Sequence, residues 1–347
     1  MKFKILAMVV SSAVYLGVAC KNDNSQDIAP DKLFSAPANF PNPVYDFAKN
    51  PITENGFELG RALFYEGDLS RDGTISCAEC HSQPSGFTHH GHDVSHGIDN
   101  LRGIRNAPPI QNMAFQKEFF WDGGVFDLDL FSIAPIENPV EMDEKLGNVL
   151  AKLCKKEKYT ALFQKAYGSK EITTERFLKA LSQFMTSLVS ANSRYDKYVR
   201  KETGGILTEE ELAGMWIFKQ KCASCHSGEL FTDQSYRNNG IAVYNIDDTG
   251  RHRITQKDSD KYKFKVPSLR NISVTAPYMH DGRFYTLEAV LKHYSESVLD
   301  VPTLDPALKN GQKLGIQTTA DEQKKLIAFL KTLTDDEFLK NKRFAAP

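Results

Sequence analysis

The pentapeptide CAECH at residues 77–81 returns as CASCH at residues 222–226, and the two copies hold four of the chain's six cysteines. A CxxC pair can hold zinc, cycle as a redox disulfide, form a structural disulfide or carry haem. Zinc ribbons place their pairs about 15–20 residues apart, far closer than these. A thioredoxin-like pair, or two plain disulfides, leaves His81 and His226 without a role. Covalent haem c uses every residue of the pattern. Two sulfurs form thioethers along one porphyrin edge, and the next residue brings its imidazole beneath the iron. The spacing therefore predicts two haem c groups, one on Cys77, Cys80 and His81, the other on Cys222, Cys225 and His226. Cys154 falls on the apolar side of a predicted helix and reads as an inert core thiol.

Such haem attachment is completed outside the cytoplasm, and the N-terminus agrees with export. Lys2 and Lys4 precede the uncharged run Ile5–Ala19, then Cys20. The run is short for a membrane span and fits an export signal over 1–19. "LGVAC" is similar to a bacterial lipoprotein signal, with Gly17 where leucine is usual. The expectation is a periplasmic protein, lipid-anchored through Cys20. Residues 20–48, rich in Asn, Asp, Ser and Pro, read as a flexible tether.

The remaining chain must position the two motifs, and its patterns are helical. Residues 53–65 lead towards CAECH, and 209–220, opened by Thr208, lead into CASCH. "LGNVLAKLCKK" and "RFLKALSQFMTSLV" carry apolar residues at helical spacing. Thr319 and Glu322 form a capping box ahead of Leu326, Phe329, Leu330 and Leu333. Strand alternation is scarce. The echo continues past each histidine, as "HSQPSGFT" and "HSGELFT", which suggests two related domains, 49–205 and 206–347, divided near Gly204–Gly205. A chain of 347 residues can bury two cores. Its formal net charge of −1 gives no reason to expect nucleic acid or a polybasic membrane patch.

Between residues 50 and 335 the sequence resembles bacterial di-haem cytochrome c peroxidases and their relative MauG. The resemblance rests on "LGRALFYEGDLSRDGTISCAECH", "RNAPP", "FFWDGG", "PIENPVEM", "CASCHSGELFTD", "PSLRNISVTAPYMHDGRF" and "TLEAVLKHY". It implies a mainly α fold with long loops and little sheet, in which two cytochrome-c-like domains face each other. It also implies that the N-terminal haem meets hydrogen peroxide while the C-terminal haem relays electrons from a small cytochrome c or cupredoxin. A homodimer is a further expectation of the resemblance, although the chain carries no interface signal of its own.

Residue by residue, His96 matches a removable distal histidine of the first haem, with Gly91 and Gly97 flanking a loop that could move. His89, His90 and His92 read as surface residues that could hold a stray metal. Glu141 matches the acid/base that moves a proton between the peroxide oxygens, with Pro139, Val140 and Met142 to desolvate it. Trp121 matches the tryptophan between the haems, while Trp216 reads as packing around the second haem. Asn106, Thr275 and Pro277 match a calcium site.

Three positions depart from the peroxidase pattern. The late methionine that ligates the electron-transfer haem is replaced by Tyr294, which MauG is similar in placing there. Leu287, Val290, Leu291 and Tyr294 share one helix face, with His293 one step off it. A hard phenolate would favour ferric or higher iron, where a thioether favours ferrous. If Tyr294 is only packing, His293, Met279 or no side chain ligates the iron. The usual arginine after "WDG" is Gly124, and the usual pocket glutamine is Phe131, which makes the peroxide pocket more apolar. The leading expectation is a peroxidase. A MauG-like oxidase of a protein or organic substrate, and a non-enzymatic electron carrier, are the alternatives.

Overall fold

The computed structural model describes residues 34–244 and 246–347. The expected export signal, Cys20 and the first part of the tether lie outside the described residues. No helix among the described residues is long and apolar enough to cross a membrane.

The molecule is mainly α, with two small antiparallel sheets, Tyr236–Arg237 on Phe264–Lys265 and Lys309–Asn310 on Lys313–Leu314. Two helix pairs form the frame. Glu54–Phe64 crosses Thr174–Ser187 in the N-terminal half, and Glu209–Lys221 crosses Ala320–Lys331 in the C-terminal half. Each crossing is close because a glycine sits at it. A Cβ on Gly60 would collide with the Ala180 carbonyl, and one on Gly214 with the Lys325 carbonyl. Each leading helix starts at a threonine cap, Thr53 or Thr208, the latter in a full capping box with Glu211. Such caps contribute about 1 kcal/mol each. They fix where each helix begins, and so where the cysteines that follow it fall. The capping box at Thr319 and Glu322 forms as the sequence predicts, with Leu326, Phe329, Leu330 and Leu333 buried beyond it.

The two cores are separate but exchange segments. Phe57, Leu63, Phe64, Phe87, Phe177 and Phe184 centre the first, and Phe218, Phe231, Leu326 and Phe329 centre the second. The C-terminal residues Phe338, Leu339 and Phe344 pack into the first core, not the second. Tyr195, before the glycine pair, packs into the second. A cut at Gly204–Gly205 therefore divides the sequence more cleanly than the packing.

The described part of the expected tether, residues 34–48, is not loose. Phe34, Phe40, Tyr45 and Phe47 pack around Ala114, Phe115 and Leu230, a cluster drawn from both halves. Beneath them Arg270 and Asp196, both fully buried, form a two-pronged ion pair at 2.9 and 2.8 Å. Phe40 lies 4.3 Å from the Arg270 guanidinium, and Asn39 donates to Asp196 Oδ1 at 3.0 Å. Aromatic residues spaced among the prolines carry this packing, which a reading by composition alone passes over.

Candidate functional site

The two cysteine motifs are built alike. His81 Nδ1 donates to the Phe87 carbonyl at 2.8 Å. His226 Nδ1 lies 3.2 Å from the carbonyls of both Phe231 and Pro267. Occupying Nδ1 in this way leaves Nε2 as the nitrogen able to face a metal. Burial pushes the His81 pKa down to about 4 and also lowers that of His226, so both imidazoles stay neutral and ready to ligate. All four motif cysteines are free thiols, and burial raises Cys77 and Cys222 to about 12.

Phe87 and Phe231 carry a second shared feature. Both are core side chains, and both adopt left-handed backbone, at φ 59° and 53°. That conformation is uncommon for a bulky residue. It turns each carbonyl back onto its histidine while the ring stays in the core. The following threonines repeat the pattern, Thr88 donating to the Ala107 carbonyl and Thr232 to the Val266 carbonyl at 2.5 Å. The sequence echo after each histidine was the visible signal of this device, but the role of the phenylalanine carbonyl was not readable from it.

Around the first motif, three loops converge. Burial raises the Glu141 carboxyl above its usual range, against the opposing hydrogen bond from Asn138 Nδ2 at 2.7 Å. Burial raises the Cys80 thiol, the Glu141 charge adds to that rise and the Ser95 hydroxyl opposes it. Ile98 N donates to the Glu141 carbonyl at 2.7 Å, so the histidine loop is fastened to the Glu141 loop. Gly97 is thus a point of close backbone approach to Val140 and Glu141 and not a hinge. Of the apolar neighbours expected to shield Glu141, Met142 is buried, Val140 half-buried and Pro139 exposed.

His96 is half-buried, with Nδ1 held 2.6 Å from Asn100 Oδ1, which leaves Nε2 free. Its ring lies 4.9 Å from that of His92, which stacks on His89 at 4.7 Å. His90 and His92 are exposed, but His89 is buried, contrary to the surface position expected for it. Its Nε2 bonds the His92 carbonyl at 2.8 Å and anchors the loop internally. Among the described residues no three His, Cys, Asp or Glu side chains group as a metal site, so the histidine run does not form the stray-metal cluster.

Around the second motif lies a largely apolar cavity. Cys222, Cys225, His226, Leu291, Leu326 and Tyr294 are among its lining residues. Leu287, Val290, Leu291 and Tyr294 all face it, whereas His293 does not line it and instead bonds the Asn239 carbonyl through Nε2 at 3.1 Å. Burial raises the Tyr294 phenol above its usual 10, with the Asn239 side chain acting in the opposite direction. Two free thiols, a neutral imidazole with Nδ1 already bonded, and apolar walls fit covalently attached haem c.

Trp121 lies on the wall of that cavity, its indole N–H donating to the Asn106 carbonyl at 2.8 Å. Beside it, Lys265 is half-buried with Nζ on Gln116 Oε1 at 2.9 Å and the Glu118 carbonyl at 2.7 Å, and desolvation of the ammonium lowers its pKa to about 8. Nothing in the sequence pattern singled out this lysine. Asn106, Thr275 and Pro277 meet on the same wall, an all-oxygen set suited in kind to calcium, though the Asn106 carbonyl is already engaged by Trp121. Phe131 is buried and stacks on Phe120 at 4.7 Å, and Gly124 is exposed. Two expectations fail. Trp216 is 64% exposed and does not pack around the second motif, and Cys154 is exposed instead of buried in the core. Both sit on helices whose apolar stripe lies one step round from them, a difference that periodicity alone resolves poorly.

Comparison with known proteins adds the following. A family model described as di-haem cytochrome c peroxidase matches residues 54–204. The chain is 33% identical over 338 residues to the methylamine utilization protein MauG of Methylorubrum extorquens, covering 94% of this chain and 93% of that one. It is 34% identical over 297 residues to cytochrome c551 peroxidase of Nitrosomonas europaea, covering 84% and 83%. Among solved structures, a MauG-like protein associated with microbial copper homeostasis superposes with TM-score 0.81 at 34% identity, covering 90% of this chain and 99% of that one.

Proposed function

This chain belongs to the di-haem cytochrome c peroxidase family that also holds MauG, and from that premise we propose that it reduces hydrogen peroxide to water at the Cys77–His81 site. The observation that carries this reading is the desolvated carboxyl of Glu141, held by Asn138 on a loop fastened to the histidine loop.

Two haem c groups would be held by Cys77, Cys80 and His81 and by Cys222, Cys225 and His226, and would supply iron for peroxide chemistry and one-electron storage. The protein's own groups do the rest. His81 and His226 present Nε2 because backbone carbonyls hold Nδ1. Reducing one peroxide consumes two electrons and two protons and yields two waters. Glu141 takes the proton from one peroxide oxygen and delivers it to the other, which leaves as water, and the raised pKa keeps the carboxyl able to give as well as take. Asn138 orients it. His96 is the displaceable group on this face, its free Nε2 carried on a loop that is pinned on either side.

Trp121, fixed by its bond to Asn106, would carry electrons from the second site, and Tyr294 would hold the second haem through its phenol oxygen. The donor is a small redox protein of the cytochrome c or cupredoxin kind, met in the periplasm, where Cys20 tethers the chain. Asn106, Thr275 and Pro277 bind calcium beside Trp121. Tyr294 also favours a second reading, a MauG-like oxidase, because a phenolate stabilises oxidised iron where a thioether would store reducing electrons.

The test is stopped-flow turnover with a reduced small cytochrome. Peroxide-dependent oxidation of the cytochrome, two per peroxide, is expected in the wild type. Glu141→Gln should slow it by about 10²–10⁴-fold, the usual worth of a positioned acid/base. An unchanged rate in Glu141→Gln removes the assignment. A long-lived oxidised species without rapid cytochrome oxidation points to the MauG-like reading, and no reaction with peroxide at all leaves only an electron carrier.

A further inference from the structure

Among the side chains near the second cavity that carry an atom able to ligate iron are Met279, His293 and Tyr294. Two of these, Met279 and His293, are bonded to one residue. The Asn239 side-chain amide donates to Met279 Sδ at 3.4 Å. The Asn239 backbone carbonyl accepts from His293 Nε2 at 3.1 Å. Met279 and Tyr294 both line the cavity, one a soft donor and one a hard donor, and Asn239 lines it with them.

Asn239 is held firmly enough to arbitrate. Its Oδ1 accepts from Ile241 N at 3.4 Å, which fixes the amide with its nitrogen towards Met279. Its neighbour Asn238 donates to Thr303 Oγ1 at 2.8 Å, accepts from Gly240 N at 2.8 Å and accepts from Asp305 N at 3.0 Å. Met279 itself sits in left-handed backbone at φ 73°, unusual for its type.

We propose that Asn239 is the positioning residue that selects the ligand of the second haem, tying up the Met279 sulfur and the His293 imidazole and so leaving Tyr294 as the side chain available to the iron. The proposal rests on ligation by Tyr294, and the variants separate the two claims.

The experiment uses haem-loaded protein, with haem content and helical circular dichroism checked for each variant, and reads the ferric spectrum and reduction potential of the second haem. Met279→Leu should match the wild type, because the sulfur is not the ligand. Asn239→Leu keeps the backbone carbonyl but loses the amide. It should convert part of the second haem to sulfur ligation, with an upward shift of potential. Asn239→Leu combined with Met279→Leu should restore the oxygen-ligated spectrum and lower the potential again, a rescue that general structural damage would not show. A wild-type spectrum and potential in Asn239→Leu overturns the proposal, as does a change that Met279→Leu fails to reverse. Tyr294→Phe tests the underlying reading separately. If it leaves the second haem's spectrum unchanged, tyrosine ligation itself falls, whatever Asn239 does.

Discussion

The two cysteine motifs share a lower face and differ on the upper one. Below, each histidine gives its Nδ1 to the carbonyl of a buried, left-handed phenylalanine. Above, the first site meets polar loops that carry Glu141, Asn138, Ser95 and the histidine run, while the second meets one helix face of Leu287, Val290, Leu291 and Tyr294. Attachment is the repeated part, and reactivity lies in what was not repeated. Loops carry the carboxyl and the histidine run of the first site. A helix face supplies one fixed oxygen and closes the second site with hydrocarbon.

The harshest test of that difference removes one site at a time. Cys77→Ala with Cys80→Ala, and Cys222→Ala with Cys225→Ala, should each yield protein whose mass shows one haem where the wild type shows two. If the upper faces divide the labour as described, losing the first site abolishes reaction with peroxide. Losing the second leaves one round of reaction but no sustained oxidation of a donor. Equal loss of peroxide reactivity in both variants would make the two faces equivalent and break the comparison.

The lower faces were the more legible in the sequence. CxxCH names its own chemistry, and the helices ahead of each copy announced themselves through Thr53, Thr208 and the apolar period. The direction of Tyr294 also followed from spacing, because a helix face is a local property. The upper faces depend on contacts between residues far apart in the chain, to which no local pattern points. Asn239 reaches Met279 forty positions on, and Lys265 reaches Gln116 across 149. His89 looked like its exposed neighbours because burial of one histidine in a run is decided by the loop's own carbonyls. Glu141 was found only because a family resemblance pointed to it.

A smaller effect is expected where the two halves are joined. Arg270 comes from the C-terminal half and Asp196 from the end of the N-terminal half, and both are wholly buried. Removing one partner of such a pair strands the other charge, at a cost of about 3–5 kcal/mol. Arg270→Met should therefore lower the unfolding midpoint in guanidinium markedly. Because Phe338, Leu339 and Phe344 cross into the first core, the halves should still unfold in one transition. Two resolved transitions would show that each haem region is stable alone and that the exchanged segments contribute little to their union.

The smallest expected effect separates the upper faces by pH. Burial raises the Glu141 carboxyl, so the folded protein holds that proton to higher pH than the unfolded chain does. Stability then falls with rising pH between the unfolded value, about 4.3, and the raised folded one, because the native state binds more protons there. Glu141→Gln keeps the neutral shape at every pH. Its stability relative to wild type should therefore be least favourable near pH 4 and should improve as pH rises, levelling off once the wild-type carboxyl has ionised. The Tyr294 phenol, raised above 10 by its own burial, contributes no such slope in this window. Thermal unfolding of both proteins at several pH values between 4 and 8 measures the difference directly. A difference that stays flat across that range would mean that Glu141 is solvated in the folded protein. The first site would then lose the buried acid that sets it apart from the second.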